Sequence, residues 1–300
     1  MTRRDLLRSG AGFPAASARA QAPEPRFRAS HAAGEAVSFY AGGRPLFTYR
    51  YAASRAKPYV HPFCAAGGTP LTIDGPADHI HHRGLMLAWS DVAGYDFWGE
   101  VNPAKHGRIV HQRFERPPSE AGLTAINHWT AEGRMLIEEY QRVRPLPLEA
   151  GPGVVALEWE STLRAAGGPL VLDASKHVYN GLGMRFVRAM DLGGVLNACG
   201  TRAIEQANGE EAAWCCYHGA LGEGRRAAVA IMNHPSNPRH PAAFFVMNKP
   251  FGYLAAAPTF REPFRLAPDR PLKLRWAVVS LLGEPAPERL DGMFRTWSGS

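Results

Sequence analysis

The sequence contains no run of the roughly 20 consecutive apolar residues that a membrane-spanning helix requires, so no such helix is expected. Cysteine is scarce. Cys64, Cys199, Cys215 and Cys216 are the only four in 300 residues, and none forms a C-x-x-C pair. Four are too few for a disulfide scaffold, although an oxidising compartment would permit one bridge between a pair that spacing does not identify. On a strand, adjacent Cys215 and Cys216 would point to opposite faces, as small buried apolar residues. No nucleophile-elbow serine, H-E-x-x-H helix or kinase signature occurs. The glycines of Asn180-Gly181-Leu182-Gly183 match neither the dinucleotide nor the P-loop spacing. Internal repeats, low-complexity tracts and long linkers are also missing, so residues 23–300 read as one domain.

A strong charge of one sign is lacking too. The formal net charge is +7, but the segment Met1–Ala22 carries Arg3, Arg4, Arg8 and Arg19 against Asp5. Beyond that segment basic and acidic residues are nearly balanced and scattered, which gives nucleic-acid binding little support. Met1–Ala22 reads as a twin-arginine export signal: Arg3-Arg4, a mildly apolar stretch, then small-residue sites at Ala18-Arg19-Ala20 and Ala20-Gln21-Ala22. The expected mature chain starts near Pro23 and works in a bacterial periplasm or outside the cell. That route carries folded proteins, which hints at a cofactor or metal loaded before export.

What the chain has in quantity is glycine and proline, at 31 and 25 respectively, which favours many turns and short strands. Strands are expected at Ala36–Tyr40, Pro45–Tyr51, Lys57–Phe63, Pro70–Asp74, Gly84–Ser90, Gly107–Glu115, Leu123–Thr130, Arg134–Val143, Val154–Leu163 and Leu170–Val178. Further strands are expected at Leu182–Phe186, Val195–Asn197, Ala212–Gly219, Arg226–Met232, Ala243–Val246, Phe251–Ala255 and Leu272–Leu282. Pro287–Trp297 closes the chain as a helix. The run 134–143 fits a helix by spacing, but its place among regularly spaced strands favours a strand. The rhythm predicts an all-β protein, a large antiparallel β-sandwich.

Chemistry concentrates between His61 and Glu100. Asp78-His79-Ile80-His81-His82-Arg83 sets three imidazoles beside a carboxylate and a guanidinium. In a loop all three rings could converge, as ligands for a divalent metal (His79 and His81 first) or as proton carriers. The plainer alternative is that they brace the loop. Trp98, between Asp96 and Glu100, suits a cleft that stacks on a sugar ring, although most aromatics of a sandwich are core. Asp91, Asp96, Glu100 and Glu158 are all eligible carboxylates. Lys176 and Arg185 flank a glycine turn and are available to bind an anion or polarise a carbonyl. His218 shares an alternating strand with an aromatic. The loop Asn233-His234-Pro235-Ser236-Asn237-Pro238 is pinned by proline, which would present His234 and Asn237 with little entropy left to lose.

Together DHIHHRGLMLAWSDVAGYDFWGE, GRIVHQRF, KHVYNGLGMRF, AAWCCYHG and MNHPSNPRHPAAFFVMNKPFGYLAAAPTF resemble the PmoA-like family, a domain of unknown function commonly labelled methane oxygenase. The resemblance runs from about Tyr59 to Gly283 and is distinct from the membrane-embedded methane monooxygenase subunit. It implies an exported β-sandwich similar to galactose-mutarotase-like supersandwiches, with a carbohydrate or other small-molecule ligand. It places site positions on His61, Asp78, His79, His81, His82, Arg83, Lys176, His218 and His234. The family commonly has Asp where this chain has Asn233, and Gly-Gly where it has Asn180-Gly181.

Three functions are compatible with these features. The first is a carbohydrate-active enzyme (lyase, hydrolase or epimerase) in which His79, His81, His82 or His234 moves protons and Arg83 and Lys176 stabilise negative charge. His61, Asp78, Trp98, Glu100, His218 and Asn237 would then bind substrate. The others are an iron- or copper-dependent oxygenase and a non-catalytic sugar-binding module. The leader reading predicts that replacing Arg3 and Arg4 with lysine leaves uncleaved precursor in the cytoplasm of a bacterial host. N-terminal sequencing of the exported wild-type chain should begin near Pro23.

Overall fold

The computed structural model describes residues 27–100, 103–148, 153–173 and 178–299. The leader and Lys176 lie outside these residues. The described strands form a nine-stranded antiparallel sheet, an eight-stranded antiparallel sheet and a small three-stranded one. The large antiparallel sandwich expected from the rhythm of short strands is present.

Strict alternation divides each large sheet into two faces. In the nine-stranded sheet Leu85, Leu87 and Trp89 of strand Leu85–Trp89 turn inward, as do Leu182 and Met184 of Asn180–Arg185. In the eight-stranded sheet Trp276 and Val278 of Leu272–Leu282 turn inward, and Val278 sits opposite Leu157 on one side and Ile231 on the other. These inward sets form one continuous core between the sheets. Cys215 joins it, whereas Cys216 faces the opposite way, and all four cysteines are free.

One polar patch interrupts that core. Glu139 is fully buried and accepts hydrogen bonds from Ser161 Oγ at 2.6 Å, Trp129 Nε1 at 3.0 Å and Asn127 Nδ2 at 3.3 Å. Burial pushes its carboxyl pKa up despite these donors. Tyr49 of the facing sheet donates to Gln141 beside it, so the patch ties the two sheets together.

Part of each outer face is covered as well. Ala277, Val279 and Leu281 pack under the C-terminal helix Pro287–Ser298 through Leu290, Met293 and Trp297. Met86, Ala88, Tyr253 and Ala255, outward from the nine-stranded sheet, are covered by Trp98 and Phe251 from loops. A sandwich with one solvated face per sheet would leave such positions polar. Here they are apolar because something packs on them.

The expected strand at 134–143 is observed as Arg134–Pro145, paired on both sides. Other boundaries move. Pro70–Asp74 makes isolated bridges only, Leu170–Val178 shortens to Leu170–Asp173, and Phe251–Ala255 shifts to Tyr253–Ala256. Sequence periodicity missed the polar edge strand Phe27–Ala32 and the one-turn helix Ile204–Ala207.

Glu158 locks the C-terminal helix to the sheet. Its carboxylate, 1% exposed, meets Arg144 Nε at 2.6 Å, Arg275 Nη2 at 2.6 Å and Trp297 Nε1 at 2.7 Å. Burial would raise its pKa, but Arg144, Trp297 and Arg275 reverse this and hold it well below the ordinary carboxylate range. A depressed folded-state pKa contributes stability above the unfolded value and loses it as pH falls. Glu158→Ala should cost about 1–3 kcal/mol, since it leaves Trp297 Nε1 and Arg144 without their acceptor while Arg275 keeps Glu160. In urea titrations the wild-type margin over this variant should shrink as pH drops below about 4.3, where the unfolded carboxylate protonates.

Candidate functional site

The histidine segment is a loop held across the outer face of the nine-stranded sheet. Its turns close through His79 N to Pro76 O at 2.9 Å and His82 N to His79 O at 3.0 Å. It enters the strand Leu85–Trp89 at Gly84, whose φ is +71° and where a Cβ would lie 2.5 Å from Val60 O. Only glycine fits there. This close approach seats the loop so that His79, His81 and His82 line a pocket over the sheet.

A charged knot anchors the loop from behind. Arg83 donates to Glu100 through Nε and Nη2, and Lys57 Nζ reaches Glu100 Oε1 at 2.8 Å and Trp98 O at 2.9 Å. Arg83 Nη1 also touches Asp74 Oδ1 at 3.4 Å, and Asp74 Oδ2 accepts Tyr59 OH at 2.8 Å. Burial would raise the Glu100 pKa, but Arg83 and Lys57 reverse it and hold it at about 2. Arg83 and Glu100 are thus committed to each other behind the pocket, rather than facing a ligand as expected from the sequence. His61 is likewise outside the pocket lining and pairs with Thr72 Oγ1 at 3.0 Å.

In front of the knot lies a cavity of about 130 Å³. One wall is His79, His81 and His82, with ring centroids 4.6–5.6 Å apart. The other is aromatic: Trp98 stacks on Tyr179 at 5.6 Å and 18°, Phe245 meets Tyr179 edge-on, and Tyr253 lies beside Phe245. Phe251 and Met247 complete the lining. Of the residues singled out from sequence, this brings together His79, His81, His82 and Trp98, with Asp78 at the rim. Sequence reasoning missed Lys57, Tyr179, Phe245, Phe251 and Tyr253. Lys57 could have been suspected as a lone lysine in an apolar strand-like run, while the aromatics looked like ordinary core.

The imidazoles differ in their commitments. Burial, then Lys57 and His79, lower the His81 pKa to about 4. Burial, then His81, His79 and Arg185, lower that of His82 to about 2. His82 Nδ1 lies 3.4 Å from Arg185 Nη1 and accepts from it, which fixes His82 as a neutral acceptor. His79 Nδ1 is 3.1 Å from Asp78 Oδ2. His81 Nδ1 and the Tyr253 hydroxyl are buried without a hydrogen-bond partner among the described residues. Buried polar atoms are nearly always paired, so two unpaired ones lining a cavity mark where a ligand's polar atoms belong.

The histidines do not form a ready ligand set: His82 Nδ1 faces a guanidinium, and its ring stacks on that of His79 at 4.7 Å and 17°. Among the described residues, no group of three His, Cys, Asp or Glu side chains is placed to hold one ion.

His234, Asn237 and His218 are not brought to this pocket. They belong to the opposite outer face, on and beside the eight-stranded sheet. His234 packs edge-on against Trp297 at 5.0 Å, and its Nε2 is 3.1 Å from Arg275 Nη1. Asn237 Oδ1 accepts Arg275 N at 2.7 Å and its Nδ2 donates to Asn233 Oδ1 at 2.8 Å. Asn233 Nδ2 in turn donates to His240 Nδ1 at 3.0 Å. The proline-pinned loop is therefore a brace for the C-terminal helix. His218 faces Glu284 at 3.0 Å. A wider concavity of about 280 Å³ lies near Arg239 and Arg261, but Arg239 is spent on the carbonyls of Pro258, Glu262 and Pro263.

A model of a family of unknown function, DUF6807, matches residues 36–295. That description assigns no activity and does not carry the PmoA-like label. No curated protein matches the chain. Among solved structures, a putative kojibiose phosphorylase from the human microbiome is similar at TM-score 0.35 and 8% identity, over 85% of this chain and 32% of that one. The chain therefore spans about a third of that protein's length, and the likeness is too loose to inform function.

The electrostatics predict two distinguishable titrations. In NMR spectra His81 should stay neutral down to about pH 4, well below the ordinary 6.5. Lys57→Met removes a neighbouring cation and should shift the His81 midpoint upward. An unchanged midpoint would show that burial alone sets it.

Proposed function

The chain belongs to this family of unknown function, and we propose that it is an exported carbohydrate-active protein whose histidine–aromatic pocket takes one sugar ring. The observation that carries the reading is the pair of unpartnered buried atoms, His81 Nδ1 and Tyr253 OH, inside an aromatic cavity. Sugars present apolar C–H faces to aromatic rings and hydroxyls to polar atoms, which is the combination this lining offers. The twin-arginine pattern of the leader supports export.

His81 is the proton-transferring residue in this reading. With a pKa near 4 it is unprotonated throughout the neutral range, so it can accept a hydrogen bond and then a proton from a ligand hydroxyl, as a weaker base than an ordinary imidazole. Its conjugate acid is strong enough to return that proton. The Tyr253 hydroxyl sits in the same lining and would orient the ring through a second hydroxyl. His82, held as an acceptor by Arg185, positions the neighbouring rings. The Arg83–Glu100–Lys57 knot fixes the loop so that these groups keep their geometry.

The test is a screen of glycosides and modified sugars, followed by His81→Ala on whichever substrate responds. The substitution should lower kcat/KM by about 10²–10⁴-fold. His234→Ala, on the other face, should leave it near wild type. Because neutral His81 is the active form, wild-type kcat/KM should be flat from pH 7 down to about 5 and fall as pH drops through about 4. Full activity in His81→Ala would sink the assignment.

A further inference from the structure

Four cations lie around the pocket: Lys57, Arg83, Arg185 and Arg188, paired with Asp74, Asp78 and Glu100. Two further carboxylates nearby face the backbone: Asp96 Oδ1 accepts the N–H of Trp98 and Gly99, and Asp191 Oδ1 accepts that of Gly252. At the rim, Arg185 and Arg188 share the carboxylate of Asp78.

These two guanidinium groups are poorly served by that one partner. Arg185 is 1% exposed, lies 3.6 Å over the Phe251 ring, and reaches Asp78 and His82 only at 3.3 and 3.4 Å. Its Nε is buried with no acceptor among the described residues. A guanidinium has five N–H donors, and a buried one normally satisfies most of them. Arg188, on the short 3-10 turn Arg188–Met190, is 66% exposed and gives Asp78 one hydrogen bond at 3.2 Å, so the rest of its fork faces solvent. Asp78 also contacts His79, which lines the cavity, so this rim is one side chain away from the bound ring.

We propose that the sugar taken by this pocket carries an acidic substituent, a carboxylate or a phosphate, received at the rim by Arg188 and Arg185 beside Asp78. This rests on the sugar-pocket reading above and narrows its substrate class. Anionic oxygens make charge-assisted hydrogen bonds with guanidinium forks, and here they would fill donors that Asp78 leaves open on both arginines. A neutral sugar would offer those donors no charge-assisted acceptor.

The experiment is isothermal titration of the full mature chain with four probes: glucuronate, galacturonate, glucose 6-phosphate and neutral glucose. At least one acidic sugar should bind about tenfold or more tightly than glucose, with the preference shrinking as salt is added. The carboxylate and phosphate arms identify which anion the rim prefers. Arg188→Gln should collapse the acidic-to-neutral affinity ratio towards one. Arg134→Gln, equally exposed on a distant hairpin, should preserve the ratio and so control for net charge. Glucose binding as tightly as every acidic probe would overturn the substrate class while leaving the sugar pocket standing. A ratio that survives Arg188→Gln would also overturn it. Binding of none of the four would overturn both readings together.

Discussion

The carboxylate of Glu100 is the point on which the pocket depends. Arg83 from the histidine loop and Lys57 from the approach to strand Tyr59–Phe63 both close on it, and the same lysine holds the Trp98 carbonyl. One buried anion thus joins the segment that carries the imidazoles to the segment that carries the indole. Buried ion pairs contribute little net stability when intact, yet are expensive to break, because the orphaned partner stays desolvated. Such a group favours a single geometry over a loosely related set. That is what a pocket needs if its walls come from segments well apart along the chain.

The two outer faces of the sandwich repeat one solution with different results. On one, Glu158 is gripped by two arginines and an indole N–H and fastens a helix. On the other, Glu100 is gripped by an arginine and a lysine and fastens a loop. The helix leaves no gap where it packs, with Leu290, Met293 and Trp297 filling the space. The loop leaves a gap between its histidines and the aromatic residues, and the gap is the cavity. The candidate site therefore lies on the face where the cover is imperfect.

Much of the fold was legible in the sequence because strand rhythm and turn residues act locally. The run 134–143 shows this: its helical spacing was outvoted by the regular turns around it, and it is a strand. The histidine cluster was legible for the same reason, being contiguous. What could not be read was which distant residues share a face. His234 and His81 are equally conspicuous in the sequence, yet strand parity and sheet order put them on opposite sides of the core. Tyr253 and Phe245 looked like core residues because alternation does not say whether an outward face is solvated or covered. Arg83 looked available because sequence does not show that Glu100 and Asp74 have already claimed it.

Asn233 makes a clasp whose state follows the neighbouring imidazole. Its amide donates to the His240 ring and its oxygen accepts from Asn237. The ring can receive that N–H only while its nearer nitrogen is unprotonated, because both nitrogens of an imidazolium are donors. The bond to Asn237 carries no such condition. The loop beneath the C-terminal helix therefore has one fastening that acid releases and one that it leaves in place.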